Sequence, residues 1–178
     1  MSGWRPGDRK ADRESMLRVD QAGEYGATRI YAGQLAVLRS NAPEAKLIAR
    51  MAAQEGRHLK RFDALIAARR VRPTALQPLW NVAGFALGAA TALMSEKAAL
   101  ACTDAVETEI DRHYGQQLDE LGDDDPELAA DIAEFRAEEL EHRDTARAAG
   151  AADAVGYPIL TAVIRAGCRV AIGLSKRI

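Results

Sequence analysis

Apolar residues recur along this chain at intervals of three and four, the repeat of one helix face, with no sustained alternation that would mark a strand. The pattern predicts helices over about 12–39, 44–70, 96–121, 126–149 and 157–175. Pro43 and Pro126 fall in the first turns of the second and fourth of these, where the missing N–H has no helical partner to lose. Asn41 and Asp123-Asp124-Asp125 stand where capping side chains are expected. Short links within the first and second pairs imply antiparallel neighbours. The segment between the pairs, 71–95, is long enough to cross a bundle.

Four of the apolar stripes carry acids and histidines in their own phase. Glu24 lies in line with Leu17, Tyr31, Leu35 and Leu38, and Glu107 with Leu100, Ile110, Tyr114 and Leu118. Glu55 and His58 lie among Ile48, Met51, Leu59, Phe62 and Leu65. Glu139 and His142 lie among Leu128, Ile132, Phe135 and Ala146. Glu109, Glu134 and Glu141 fall off these stripes and are expected to be solvated.

The in-phase residues form two Glu-x-x-His steps, Glu55-Gly56-Arg57-His58 and Glu139-Leu140-Glu141-His142. Each follows a lone glutamate, Glu24 by 31 residues and Glu107 by 32. Two of the chain's three histidines sit in such steps. Four carboxylates buried together without cations are prohibitively costly. Two divalent metals balance their charge, and a set of oxygens and imidazole nitrogens without thiolate suits iron or manganese. This is the known template of a carboxylate-bridged di-iron centre in a ferritin-like bundle. The expected fold is therefore all-α: a ferritin-like four-helix bundle with a di-iron centre, an apolar crossover helix and an apolar C-terminal helix. The expected metal ligands are Glu24, Glu55, His58, Glu107, Glu139 and His142.

Several neighbours of this set keep two readings. Asp20 and Asp104, one turn before Glu24 and Glu107, either orient the ligating histidines or are ordinary polar helix positions. Tyr114, two turns after Glu107, is the candidate catalytic residue, donating a hydrogen bond to the site or relaying protons and electrons; the alternative is a core tyrosine. For Tyr31 the core reading is favoured. His113 is off the stripe and reads as a surface or packing residue.

The crossover is the second informative feature. From Pro73 to Ser95 there is no charged residue. Gln77, Pro78 and Asn81 interrupt its first half, so the continuous apolar part is Val82 to Met94, too short to span a bilayer and better suited to an interfacial helix. Trp80, Phe85, Leu87, Leu93 and Met94 are the candidate membrane and substrate-access residues. Arg69, Arg70 and Arg72 precede them, placed to meet anionic headgroups. The last helix is also apolar, punctuated by Arg165 and Arg169 on one face. The alternative is that both segments cap the bundle or form an oligomer interface.

Composition narrows the classes further. A chain of 178 residues is read as a flexible tail over 1–11 and one domain over 12–178. A net charge of −2 gives no reason to expect a nucleic-acid partner. Cys102 and Cys168 lack metal or redox-pair spacing and read as packing residues in a reducing compartment. The first residues lack the apolar core of a signal peptide. No Gly-x-Gly-x-x-Gly element is present, so a dedicated dinucleotide-binding domain is not expected.

With these residues in view, the chain resembles the demethoxyubiquinone hydroxylase family of ubiquinone biosynthesis, over nearly everything from Met16 to Ile178. The most specific stretches run from Arg18 to Ala27, Arg29 to Gln34, Val71 to Thr74, Pro78 to Gly88, Ala101 to Thr103, Ala105 to Glu107, Phe135-Arg136, Glu138 to His142, and Ala166 to Ile172. The apolar crossover is matched as well as the metal site, which sets this family apart from other ferritin-like proteins. The resemblance implies a di-iron monooxygenase that inserts one oxygen atom of O₂ into the ring of 3-demethoxyubiquinol. It implies two irons on the six residues above, with NADH or the quinol itself as reductant. It further implies a lipid-soluble quinol substrate and peripheral attachment to a membrane, on the cytoplasmic face of a bacterial inner membrane or the matrix face of a mitochondrial one. A lipid-presenting accessory protein, a biosynthetic complex and a homo-oligomer are compatible partners. The rival reading is a ferroxidase or peroxidase of the ferritin-like class, with the same ligands and no quinone.

Overall fold

The computed structural model describes residues 11–178; of the tail expected over 1–11, residues 1–10 lie outside the described residues, and Ala11 is buried. Among the described residues six α-helices follow in order: α1 Arg13–Val37, α2 Pro43–Arg69, α3 Gln77–Met94, α4 Glu96–Leu121, α5 Pro126–Ala148 and α6 Tyr157–Ser175. A short 3-10 turn, Ala151–Asp153, lies between the last two. Among the described residues there is no strand, and the fold is a ferritin-like helical bundle with an apolar C-terminal helix.

Local chemistry sets the boundaries. Asp12 caps α1 by accepting from the Ser15 N–H at 3.1 Å, Ser95 caps α4 by accepting from Ala98 at 3.0 Å, and Asp125 caps α5 by accepting from Leu128 at 3.2 Å. The cap expected from Asn41 is not made: α2 starts at Pro43 with no side-chain cap. Arg70 (φ 55°) ends α2 in the left-handed region, and Gly156 (φ 70°) precedes α6 there. The crossover helix is longer than the apolar run predicts. It starts at Gln77 because Pro78 sits in its first turn, where a proline interrupts nothing.

The helices pack closely as α1 with α2 and as α4 with α5. Long side chains join the two pairs: Arg61 of α2 meets Asp131 of α5 at 2.7 Å, and His58 stacks on Phe135 with ring centroids 4.1 Å apart. This wider seam leaves room for polar side chains at the centre. Apolar layers close it at both ends, one around Leu17, Phe62, Leu121 and Leu128, the other around Ile48, Ala99 and Leu100.

α3 lies along α1 and also touches α4, and α6 lies along α4. The α1–α3 contact is backbone on backbone. A Cβ on Gly33 would collide with the Phe85 carbonyl, and one on Gly88 with the Ile30 carbonyl, so side-chain-free positions set the approach. Trp80 ties α3 to α6 by donating to the Ser175 hydroxyl at 3.0 Å. Both added helices therefore cover the α1/α4 side of the bundle and leave α2 and α5 uncovered.

Candidate metal centre

The six in-phase residues converge. Glu24, Glu55, His58, Glu107, Glu139 and His142 come from α1, α2, α4 and α5, and each is at most 2% exposed. Their ligand atoms form two groups, each within 4.8 Å: Glu24, Glu55, His58 and Glu139 in one, and Glu55, Glu107, Glu139 and His142 in the other. Glu55 and Glu139 belong to both. The arrangement is two adjoining positions with two shared carboxylates, each completed by one private carboxylate and one imidazole.

Both imidazoles turn Nδ1 inward. His58 Nδ1 lies 3.1 Å from Glu139 Oε1 and 3.5 Å from Glu24 Oε2, and His142 Nδ1 lies 3.1 Å from Glu55 Oε1 and 3.2 Å from Glu139 Oε2. Both donate outward through Nε2, His58 to Glu138 and His142 to Gln54, each at 2.9 Å. Those outer bonds fix the tautomer and ring plane that present Nδ1 to the centre.

The electrostatics show what the centre lacks. Burial, then repulsion from Glu139, Glu24 and Glu107, pushes the Glu55 carboxyl well above the usual carboxylate range. Glu107 is raised in the same way by burial and by Glu139, and Glu139 is raised by burial. Burial lowers His58, but bonds and charges from Glu139 and Glu24 outweigh it and push the imidazole up to about 10. His142 is lowered by burial. Glu24 Oε2, both oxygens of Glu55, His58 Nδ1, Glu107 Oε2 and Glu139 Oε1 are buried without a properly directed hydrogen bond among the described residues. These unsatisfied inward atoms line two adjoining positions that a pair of divalent cations would fit, satisfying them and offsetting the four carboxylate charges.

Two tyrosines brace the private carboxylates, and they do so crosswise. Tyr114 of α4 donates to Glu24 of α1, and Tyr31 of α1 donates to Glu107 of α4 at 2.7 Å. Burial first and the neighbouring carboxylates second raise both phenols well above their ordinary range, so both stay protonated donors. The core reading of Tyr31 is thus incomplete: it is buried and also bound to the site.

The remaining expectations divide. Asp20 and Asp104 do not touch the two inward-facing histidines. Asp20 accepts from His113 at 3.1 Å and from Gln117 at 2.8 Å; Asp104 accepts from Arg147 at 2.8 Å and from Tyr157. His113 is a packing residue, buried on Asp20. Glu134 and Glu141 are exposed as expected, but Glu109 is only 2% exposed. It lies under α6, where Arg165 and Arg169 both donate to Glu109 Oε1 at 2.7 Å, so those two arginines dock the last helix. Arg69 is likewise engaged, by Asp125. Gln54 and Glu138 are the partners that sequence reasoning missed. Their signal was a polar residue directly before the glutamate in both Glu-x-x-His steps.

On the outer side, α3 exposes Leu79, Val82, Phe85, Leu93 and Met94, and α6 exposes Ile159, Val163, Val170 and Leu174. Trp80 and Leu87 turn toward neighbouring helices. By length and composition α6 would suffice to cross a membrane. Beneath this face, Ile30, Cys102, Ala105, Val106 and Ile164 form an apolar layer joined by Leu87 and Cys168. Both cysteines are free, and burial pushes each thiol up to about 12.

A helical bundle that buries four carboxylates and two imidazoles at its centre is a ferritin-like carboxylate–histidine protein. The chain belongs to the family of the ubiquinone biosynthesis protein COQ7, whose model matches residues 11–175. It is 56% identical over 165 residues to the 3-demethoxyubiquinol 3-hydroxylase of Rhodospirillum rubrum, covering 93% of this chain and 78% of that one. It is 52% identical over 172 residues to the mitochondrial NADPH-dependent 3-demethoxyubiquinone 3-hydroxylase of Mus musculus, covering 94% and 79%. To the mitochondrial 5-demethoxyubiquinone hydroxylase of Saccharomyces cerevisiae it is 43% identical over 181 residues, covering 93% and 78%.

Proposed function

We propose that this protein is a 3-demethoxyubiquinol 3-hydroxylase, a di-iron monooxygenase acting late in ubiquinone biosynthesis. The observation that carries the reading is the buried cluster of four carboxylates and two imidazoles, with its orphaned acceptors, in a chain 56% identical to an enzyme of that name. Glu24 and His58 would hold one iron, Glu107 and His142 the other, and Glu55 and Glu139 would serve both. When bound, the irons supply activation of O₂, the chemistry that side chains alone do not provide. The protein's own part is placement. Tyr31 and Tyr114 hold the private carboxylates, Gln54 and Glu138 fix the imidazoles, and the apolar layer around Ile30, Cys102 and Val106 keeps water from the α1/α4 side.

The quinol arrives from lipid in this reading, through the face formed by α3 and α6. Their exposed apolar side chains favour peripheral attachment, on the cytoplasmic side of a bacterial inner membrane or the matrix side of a mitochondrial one. A nicotinamide donor supplies the electrons, in keeping with the name of the mouse relative. This apolar face also distinguishes the reading from a ferroxidase, which needs no lipid-soluble substrate.

The test is mass spectrometry of quinones after iron-loaded protein meets demethoxyubiquinol, NADH or NADPH, and ¹⁸O₂ in detergent and in vesicles. One labelled oxygen on the product ring is expected. Iron oxidation with no labelled quinone in either medium would overturn the hydroxylase in favour of the ferroxidase.

A further inference from the structure

The cluster repeats itself across the two helix pairs, and the repeat fails at one charge. The offset that carries Glu55 to Glu139 also carries His58 to His142 and Gln54 to Glu138. The private carboxylates are matched, since Glu24 and Glu107 each accept from a buried tyrosine. The imidazoles are not. His58 rests on the carboxylate of Glu138, and His142 rests on the neutral amide of Gln54, both at 2.9 Å.

An imidazole whose outer N–H donates to a carboxylate is more basic at its other nitrogen. Nδ1 of His58 is therefore the stronger donor to a cation at the centre. Two other groups share Glu138 Oε2: Arg57 at 3.0 Å and the Gln54 amide at 3.4 Å. Arg57 is 57% exposed, so water screens it, and it tempers the carboxylate's charge without cancelling it. Phe135, stacked on His58, brings no charge.

We propose that Glu138 makes the two metal positions unequal, so that the position held by Glu24 and His58 binds metal more tightly and fills before the one held by Glu107 and His142. The inference rests on the metal reading of the site. Glu138 is a positioning residue here, acting through His58.

The experiment offers the full chain one equivalent of Mn(II) and reads the occupancy of each position by anomalous scattering from crystals, with stepwise Co(II) binding followed by absorption in solution. The wild type is expected to fill the His58 position first. Glu138→Gln is expected to weaken the first binding step about tenfold, the scale on which such outer partners act, and to even the occupancies. Gln54→Glu is expected to raise the second step toward the first, and the exchange Gln54→Glu with Glu138→Gln to move the preference to the His142 position. Equal filling in the wild type, a preference for His142, or a preference that Glu138→Gln leaves unchanged would overturn the inequality while leaving the metal reading intact. Failure of the wild type to bind either metal would overturn both. Should Glu138→Gln not fold, the wild-type occupancies and the narrowing expected in Gln54→Glu decide the matter.

Discussion

Tyr31 donates its hydroxyl to Glu107 across the bundle at 2.7 Å, and Tyr114 returns the same bond from Glu107's own helix to Glu24. Each tyrosine lies two turns after one private carboxylate and grips the other. The crossing binds α1 to α4 through the site itself, so the distance between these helices and the aim of both carboxylates are set together. A tyrosine loses little freedom in such a bond, because its ring is already fully packed.

Removing either hydroxyl should therefore disturb the centre more than the fold. Tyr31→Phe and Tyr114→Phe keep the ring and leave one carboxylate oxygen without its donor. Metal affinity in each is expected to fall about tenfold or more, read by competition with a chromophoric chelator, with helix content unchanged by circular dichroism. Undiminished affinity in both variants would show that the bonds only fill space.

The shared and private carboxylates should behave differently. Glu55 and Glu139 belong to both groups of ligand atoms, whereas Glu24 and Glu107 belong to one each. Glu139→Gln is expected to abolish binding of both metals and all turnover, while Glu24→Gln retains about one metal per chain. Metal-to-protein ratios after desalting check this, and equal losses in the two variants would sink the division of roles. Metal-free Glu55→Gln should also melt higher than the metal-free wild type, because it removes one of four mutually repelling buried acids. A rise of a few degrees corresponds to about 1 kcal/mol in a chain of this size.

Asp125 carries an acid-sensitive part of the stability. Burial raises its pKa, but the Arg69 guanidinium and the Leu128 N–H outweigh that and hold the carboxyl below its ordinary range. A group lowered in the folded state contributes stability above its unfolded pKa of about 3.9 and loses it as pH falls through the folded value. Asp125→Ala removes both cap and ion pair and is expected to cost about 1–2 kcal/mol at pH 7. Asp125→Asn keeps a cap and should cost less. The gap between wild type and Asp125→Ala should shrink as pH falls below about 4, followed by urea unfolding. A gap independent of pH would mean that the ion pair contributes nothing.

Much of this was legible in the sequence because helix phase is a strong, local signal. Four apolar stripes with charges in phase place Glu24, Glu55, His58, Glu107, Glu139 and His142 facing inward. Pairings between helices were not legible, since period says which way a residue faces and not what it meets. Asp20 and Asp104 lie a turn from the centre yet serve His113, Gln117, Arg147 and Tyr157 instead. Glu109 lies off the stripe that faces the four-helix core, and α6 creates a second buried face on α4 that only the tertiary fold reveals. Pro78 read as a breaker shortens the crossover, but a proline in the first turn starts a helix as readily as it stops one.

The last prediction concerns that crossover. Phe85, Leu93 and Met94 point outward on α3, with Ile159, Val163, Val170 and Leu174 outward on α6, whereas Leu87 packs inward. If lipid covers this face, charges at its outer positions should release the protein from vesicles, and a charge at Leu87 should damage the fold instead. Phe85→Asp with Leu93→Asp is expected to keep the wild-type melting temperature and lose most sedimentation with anionic vesicles. Burying two such side chains is worth about 1.5–3 kcal/mol each, enough to change partitioning more than tenfold. Because Arg29 sits over the Phe85 ring, 5.3 Å from its centroid, Phe85→Leu serves as the control that removes this contact without adding charge. Unchanged sedimentation of the double aspartate variant would mean that the outer face of α3 does not hold the protein to lipid.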